Sequence, residues 1–88
     1  MLAVERVDLA DVEHEVQRLW RSEGGATVTV GTAGDRWFAK HSRKGDAWLF
    51  AFERSMCQLA DQWLARGIWD EIGIPPEVKK AAPERRGQ

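Results

Sequence analysis

Hydrophobic positions near the start of the chain recur at the spacing of an α-helix. The apolar side chains fall on one face of a 3.6-residue repeat, at Leu9, Val12, Val16, Leu19 and Trp20. Asp8 can accept hydrogen bonds from the first free backbone amides, and Gly24-Gly25 provide a C-terminal stop. The pattern predicts an N-terminal helix that begins at Asp8 and buries this apolar face.

The next segment alternates as a β-hairpin does. Residues 26–30 alternate small apolar and β-branched side chains, residues 31–35 have turn chemistry, and residues 36–41 would return as the second strand. One face of that strand would carry Trp37, Ala39 and His41, and the other Arg36, Phe38 and Lys40. We expect helices to cover only one face of so small a sheet, which leaves one aromatic ring at a contact surface.

Residues 46–66 fit two structures. Trp48, Phe50 and Phe52 alternate as in a third strand. As a helix, the same segment places most of its apolar side chains within an arc of about 120°, namely Trp48, Leu49, Phe52, Met56, Leu59, Ala60 and Trp63. We favour one long amphipathic helix from Asp46 to Arg66, ended by Gly67. The third strand stays open as the alternative.

The remaining segments are less regular. Residues 68–74 could form one or two helical turns before Pro75, and Pro76 could begin another short turn. Residues 2–7 are compatible with a strand, which stays open. Residues 81–88 have no apolar side chain larger than alanine, so we expect a flexible tail there.

The fold class expected from these elements is α+β. A small antiparallel hairpin or three-strand meander would be flanked by an N-terminal helix and a long C-terminal amphipathic helix, in a single compact domain over residues 1–80. The chain has 88 residues, 43% hydrophobic and 31% charged, which fits one small folded domain. No apolar run reaches the roughly 18 residues of a membrane span. One cysteine excludes an internal disulfide, and we expect a cytoplasmic location.

Residues that commonly carry catalysis or bind metals are few and scattered. We expect His14 on a solvated helix face. His41 ends the hairpin beside Ser42, which by itself is no catalytic arrangement. Cys57 would be an inert small side chain filling space within a helix. Because these residues match no metal-ligand spacing, we expect a protein that is not an enzyme and uses no metal or cofactor.

Charge and aromatic content indicate a binding function. The formal net charge is −1, but residues 24–45 carry four basic side chains and one acidic one, between acidic segments on both sides. Five tryptophans are more large rings than so short a chain is expected to bury. Interfaces favour Trp, Phe and Arg, so the candidate partner-binding residues are Arg36, Trp37, Phe38, Lys40, Arg43, Lys44 and Trp69. We expect the partner to be another protein or a nucleoprotein complex.

Two other interpretations stay open. The same basic and aromatic hairpin could contact phosphates and stack bases, which would make the chain a small nucleic-acid-binding accessory or regulatory protein with weak affinity. Alternatively, a second copy could cover the exposed rings in a homodimer.

In size, aromatic content, lack of catalytic residues and helix–hairpin–helix layout over residues 8–66, the chain resembles the small inhibitor proteins of phages and mobile elements, anti-CRISPR proteins among them. The resemblance implies that the protein binds a host defence complex and blocks it sterically. The weak net charge and the basic hairpin depart from strong DNA mimicry. An aromatic contact surface is therefore the mode of binding that the resemblance implies.

Overall fold

The computed structural model describes residues 5–81 and is dominated by one antiparallel β-sheet. Its strands are β1 (Glu5–Val7), β2 (His14–Ser22), β3 (Thr27–Ala33), β4 (Arg36–His41), β5 (Ala47–Phe50), β6 (Trp69–Ile72) and β7 (Lys80–Ala81), and its helices are α1 (Glu53–Leu64) and α2 (Pro76–Lys79). The strand order is β1-β5-β4-β3-β2-β6, and β7 pairs with the first residues of β2. The expected fold class is therefore wrong, because the sheet dominates residues 5–81 and these residues form neither the N-terminal helix nor the long C-terminal helix that would flank it.

The predicted N-terminal helix is absent from residues 8–24. Asp8 does act as a cap, since its carboxylate accepts a hydrogen bond from the Ala10 amide at 3.0 Å. The element it caps is a single 3-10 turn over Leu9–Asp11. The rest of the expected helix is strand β2.

A β-bulge explains why β2 has the spacing of a helix. Its register against β3 shifts between Val16 and Arg18, so Gln17 is an extra residue in β2. After Gln17 the side chains of β2 lie on the faces opposite to those that uninterrupted alternation would give them. Val16 and Leu19 pair with positions on one face of β3, whereas Trp20 pairs on the other face. A strand that is buried on both faces and interrupted by a bulge thus repeats its apolar positions every three or four residues.

The predicted hairpin is confirmed. β3 and β4 pair in continuous register up to Ala33 and Arg36. Gly34, the first of the two turn residues, has φ +62°, a conformation that favours glycine in tight hairpins. The alternation of β4 is also as expected, because Ala39 packs beneath α1 and Phe38 packs on the opposite face.

The single long helix over residues 46–66 is wrong. Ala47–Phe50 form β5, which is the alternative the alternation allowed, and α1 begins only at Glu53. The strands β3, β4 and β5 form the meander that follows from this alternative.

The outer segments are mostly strands. Trp69–Ile72 form β6 rather than helical turns, whereas Pro76 begins α2 as expected. Residues 5–7 of the open N-terminal strand are β1, and residues 2–4 lie outside the described residues. Residues 82–88 of the expected tail also lie outside them.

Both faces of the sheet carry a buried cluster. Beneath α1 the cluster consists of Trp20, Val28, Val30, Ala39, Met56 and Ala60. On the opposite face Val16, Phe38 and Ala47 are buried, with Val7, Leu9 and Ile74 packed against them. The expectation that only one face can be covered is therefore wrong, because short segments rather than a second long helix cover the other face. No helix among residues 5–81 is long and apolar enough to cross a membrane.

Candidate functional site: a basic and aromatic groove

A groove opens where β4 ends and β6 begins, beside the C-terminal end of α1. Its larger part has a volume of about 730 Å³ and is lined by His41, Arg43, Lys44, Gln62, Trp63, Ala65, Arg66 and Trp69. A second part of about 430 Å³ adjoins it on the side of the β2–β3 turn and shares His41, Arg43, Arg66 and Trp69. Both volumes lie in the range of sites that hold small ligands.

Three aromatic side chains form the inner wall of the groove. His41, the last residue of β4, is only 9% exposed. Its imidazole packs edge-on against Trp63 of α1, with 5.5 Å between ring centroids, and against Trp69 of β6, with 5.6 Å. The wall therefore connects one helix and two strands that are distant in sequence.

The turn after β4 is held by hydrogen bonds that place the backbone of Arg43 and Lys44 at the groove. The Arg43 amide donates to His41 Nδ1 at 3.1 Å, and the Lys44 amide donates to the His41 carbonyl at 3.0 Å. The Arg43 guanidinium donates to the Gly24 carbonyl at 2.7 Å. This last bond joins the turn to the β2–β3 turn across the groove.

The opposite side of the groove is shaped by the end of α1. α1 ends at Leu64 with Ala65 as its C-cap, two residues before the expected end at Arg66. Gly67 follows with φ +90°, a conformation that favours glycine, where the chain returns towards the sheet. The Trp69 indole Nε1 then donates to the Arg66 carbonyl at 2.7 Å. This bond fixes the Trp69 ring beside the exposed Arg66 side chain.

The groove is positively charged. Arg43, Lys44 and Arg66 line it, and Glu23 is the acidic side chain among its lining residues. Burial, helped by the nearby Lys44, Arg43 and Lys40 charges, lowers the pKa of His41 below its ordinary value of 6.5. His41 is therefore neutral at pH 7.

The structure brings three of the predicted partner-binding residues together. Arg43, Lys44 and Trp69 all line the groove. Trp63 in α1 and Arg66 just beyond its end also line the groove, and neither was among the residues predicted from the sequence. Their approach to Trp69 depends on the return of the chain into β6, which no local sequence signal indicates.

The other predicted residues lie elsewhere. Arg36 forms an ion pair with Glu5 on β1. Phe38 is fully buried, so it cannot contact a partner, and Trp37 packs partly buried against the cluster beneath α1. Lys40 donates to a backbone carbonyl of the following turn. The hairpin surface expected from the sequence is therefore not one continuous site.

The tryptophan side chains are also less exposed than expected. Trp20 is buried and the other four indoles are partly buried. The large apolar side chains most exposed in residues 5–81 are Phe52 and Ile68, at 72% and 69%. They lie beyond opposite ends of α1, a helix of about 18 Å at 1.5 Å per residue, so they do not form one docking patch.

The other residues with reactive side chains do not form a second site. His14, expected on a solvated helix face, lies in β2, donates from Nδ1 to the Val12 carbonyl at 2.9 Å and packs edge-on against Phe38. Cys57, expected as a buried or half-buried side chain that fills space, is exposed. No three His, Cys, Asp or Glu side chains within residues 5–81 converge as metal ligands do.

No family model matches the sequence, and no curated protein or solved structure matches the chain.

Proposed function

We propose that the protein is a non-enzymatic binding module whose groove holds a short segment of single-stranded nucleic acid. The observation that supports this function is the convergence of two partly exposed indoles and three cations on one cavity. Proteins that bind single strands stack bases on aromatic rings and hold phosphates with a basic groove. Trp63 and Trp69 would supply the stacking surface, and Arg43, Lys44 and Arg66 the phosphate contacts.

The shape of the groove favours a single strand over a duplex. Its rings form the inner wall of a cavity, where they can meet a base face only if that base has left a helical stack. The cavity volume limits the bound segment to a few nucleotides. We therefore expect modest affinity, dominated by stacking and by about three phosphate contacts.

Salt dependence tests this proposal quantitatively. Neutralising about three phosphates of a single strand predicts a slope of about −2 in a plot of log affinity against log salt concentration. Affinity for a labelled single-stranded oligonucleotide should then fall about 20-fold between 50 and 200 mM salt. Quenching of tryptophan fluorescence should accompany binding, and a duplex of the same sequence should bind more weakly.

Charge-neutralising variants locate the binding site. Lys44→Gln and Arg66→Gln should each weaken binding and flatten the salt slope by about 0.7. Arg54→Gln makes the same change of charge at the other end of α1, where Arg54 is exposed, and should leave binding unchanged. The proposal is wrong if single strands do not bind at 50 mM salt, or if Arg54→Gln weakens binding as much as the groove variants do.

A protein or nucleoprotein partner, and inhibition of a host defence complex, stay predictions from the sequence. The cations of the groove would also attract the carboxylates of an acidic peptide. Binding of a poly-glutamate peptide that depends on Lys44 and Arg66, together with no binding of oligonucleotides, would replace the nucleic-acid proposal with a protein-binding one.

A further inference from the structure

His41 is the polar side chain in the groove wall that is more than nine-tenths buried. It lines both parts of the groove. The rings of Trp63 and Trp69 pack against it at nearly perpendicular angles of 77° and 81°. The imidazole is therefore held in one orientation at the point where the two parts of the groove meet.

Hydrogen bonding identifies which nitrogen carries the proton. Nδ1 accepts a hydrogen bond from the Arg43 backbone amide at 3.1 Å, so in the neutral imidazole the proton lies on Nε2. Within residues 5–81 the structure gives Nε2 no hydrogen-bond acceptor. The fully buried side-chain nitrogen without a partner in residues 5–81 is Trp48 Nε1 and not His41 Nε2, so Nε2 is accessible and a ligand in the groove could accept its hydrogen bond.

We propose that His41 contacts the ligand directly, its Nε2–H donating to a phosphate oxygen of the bound strand. This inference rests on the proposed function. Arg43, Lys44 and Arg66 surround the same cavity and attract a phosphate towards it. Charge-assisted hydrogen bonds of this kind are shorter and stronger than neutral ones.

The contact makes binding depend on pH in a defined direction. In the free protein, burial and the Lys44, Arg43 and Lys40 charges hold the pKa of His41 below 6.5. A phosphate beside Nε2 favours the protonated imidazole, so the pKa of His41 rises in the complex. Because the complex then binds more protons than the free protein, affinity increases as the pH falls from neutrality through the pKa of bound His41.

The other charged side chains near His41 are the cations Lys40, Arg43, Lys44 and Arg66 and the carboxylate of Glu23 on the β2–β3 turn. Lysine, arginine, carboxylate and phosphodiester groups ordinarily titrate outside the range from pH 5.5 to 7.5. Between pH 5.5 and 7.5 the dependence therefore belongs to His41.

Histidine ring NMR, recorded between pH 5 and 8 with and without a five-nucleotide oligothymidylate, tests the contact. We expect the pKa of His41 to rise on binding and the affinity to be at least about threefold higher at pH 5.5 than at pH 7.5. His14 packs against Phe38, on the opposite face of the sheet from α1, and serves as the internal control, since its ring signals should be the same with and without the oligonucleotide. His41→Gln keeps a neutral donor and should bind the oligonucleotide without this pH dependence.

The outcomes separate the contact from the proposed function. Binding of the oligonucleotide with an unchanged His41 titration would overturn the contact and leave the function standing. A pH dependence that persists in His41→Gln would likewise overturn it. No binding at pH 5.5 in 50 mM salt would overturn both. If His41→Gln does not fold, the titration of the unaltered protein decides alone.

Discussion

Gly31 shows how strictly a single position can depend on its surroundings. It is the partner of Val16, beside the bulge of β2, and lies in a strand rather than in the turn predicted for residues 31–35. A Cβ added to Gly31 would lie 2.0 Å from the Glu15 carbonyl oxygen and 3.0 Å from a ring carbon of Phe38. The bulge brings the two backbones so close that only glycine fits.

Gly31→Ala should therefore destabilise the fold by about 3 kcal/mol or more, the upper range for overpacked positions, because the obstacle is backbone and cannot rotate away. Gly73→Ala is the matched control, since a Cβ at Gly73 meets nothing within 4 Å and its backbone needs no positive φ. Urea unfolding of both variants measures the difference. Equal stability of the two variants would show that the close approach at the bulge is wrong.

At the scale of elements, the sequence predicted those elements whose formation depends on residues close together in the chain. The β3–β4 hairpin follows from alternation and from Gly34 in its turn, and both are visible in the sequence. β2 could not be recognised because its bulge changes the burial pattern from a period of two to a spacing typical of a helix. β6 was missed since its strand pairing comes from β2, almost fifty residues earlier in the chain.

The groove residues also divide into those that local sequence signals predicted and those that only contacts between distant segments bring together. Arg43 and Lys44 were predicted because they lie beside an aromatic hairpin, and Trp69 because no helical face claimed it. Trp63 was predicted to lie on a buried helix face. Arg66 lies in an acidic segment of the sequence and was not predicted to bind a partner. Their convergence on His41 depends on how α1 crosses the sheet, which no local pattern contains.

The start of α1 offers a test at the element scale. Phe52 occupies the N-cap position with φ −127° and ψ 137°, makes no capping hydrogen bond from its side chain and is 72% exposed. Serine fits this backbone and can accept a hydrogen bond from a free amide of the first turn. We expect Phe52→Ser to be about 1 kcal/mol more stable than Phe52→Ala, which removes the same ring without adding a cap. Thermal or urea unfolding measures this, and equal stability of the pair would place the helix start elsewhere.

At the scale of the whole molecule, positive charge is concentrated at the groove although the total charge is close to zero. The net charge is −1, so the protein as a whole does not attract polyanions. The positive region combines Arg43 and Lys44 from the basic segment with Arg66 from an acidic one. In contrast, Arg18 and Arg36 are engaged in ion pairs with Glu71 and Glu5. A net charge near zero therefore conceals a groove that is itself positively charged.

Amide and indole NMR shifts recorded during titration with a short single-stranded oligonucleotide test this account most directly. We predict that the changes concentrate at the Arg43, Lys44 and Arg66 amides and at the Trp63 and Trp69 indoles, while Arg36 and Phe52 stay unchanged. The account is contradicted if the oligonucleotide leaves the spectrum unaltered at low salt, or if the changes cluster at Arg36 on the other face of β4.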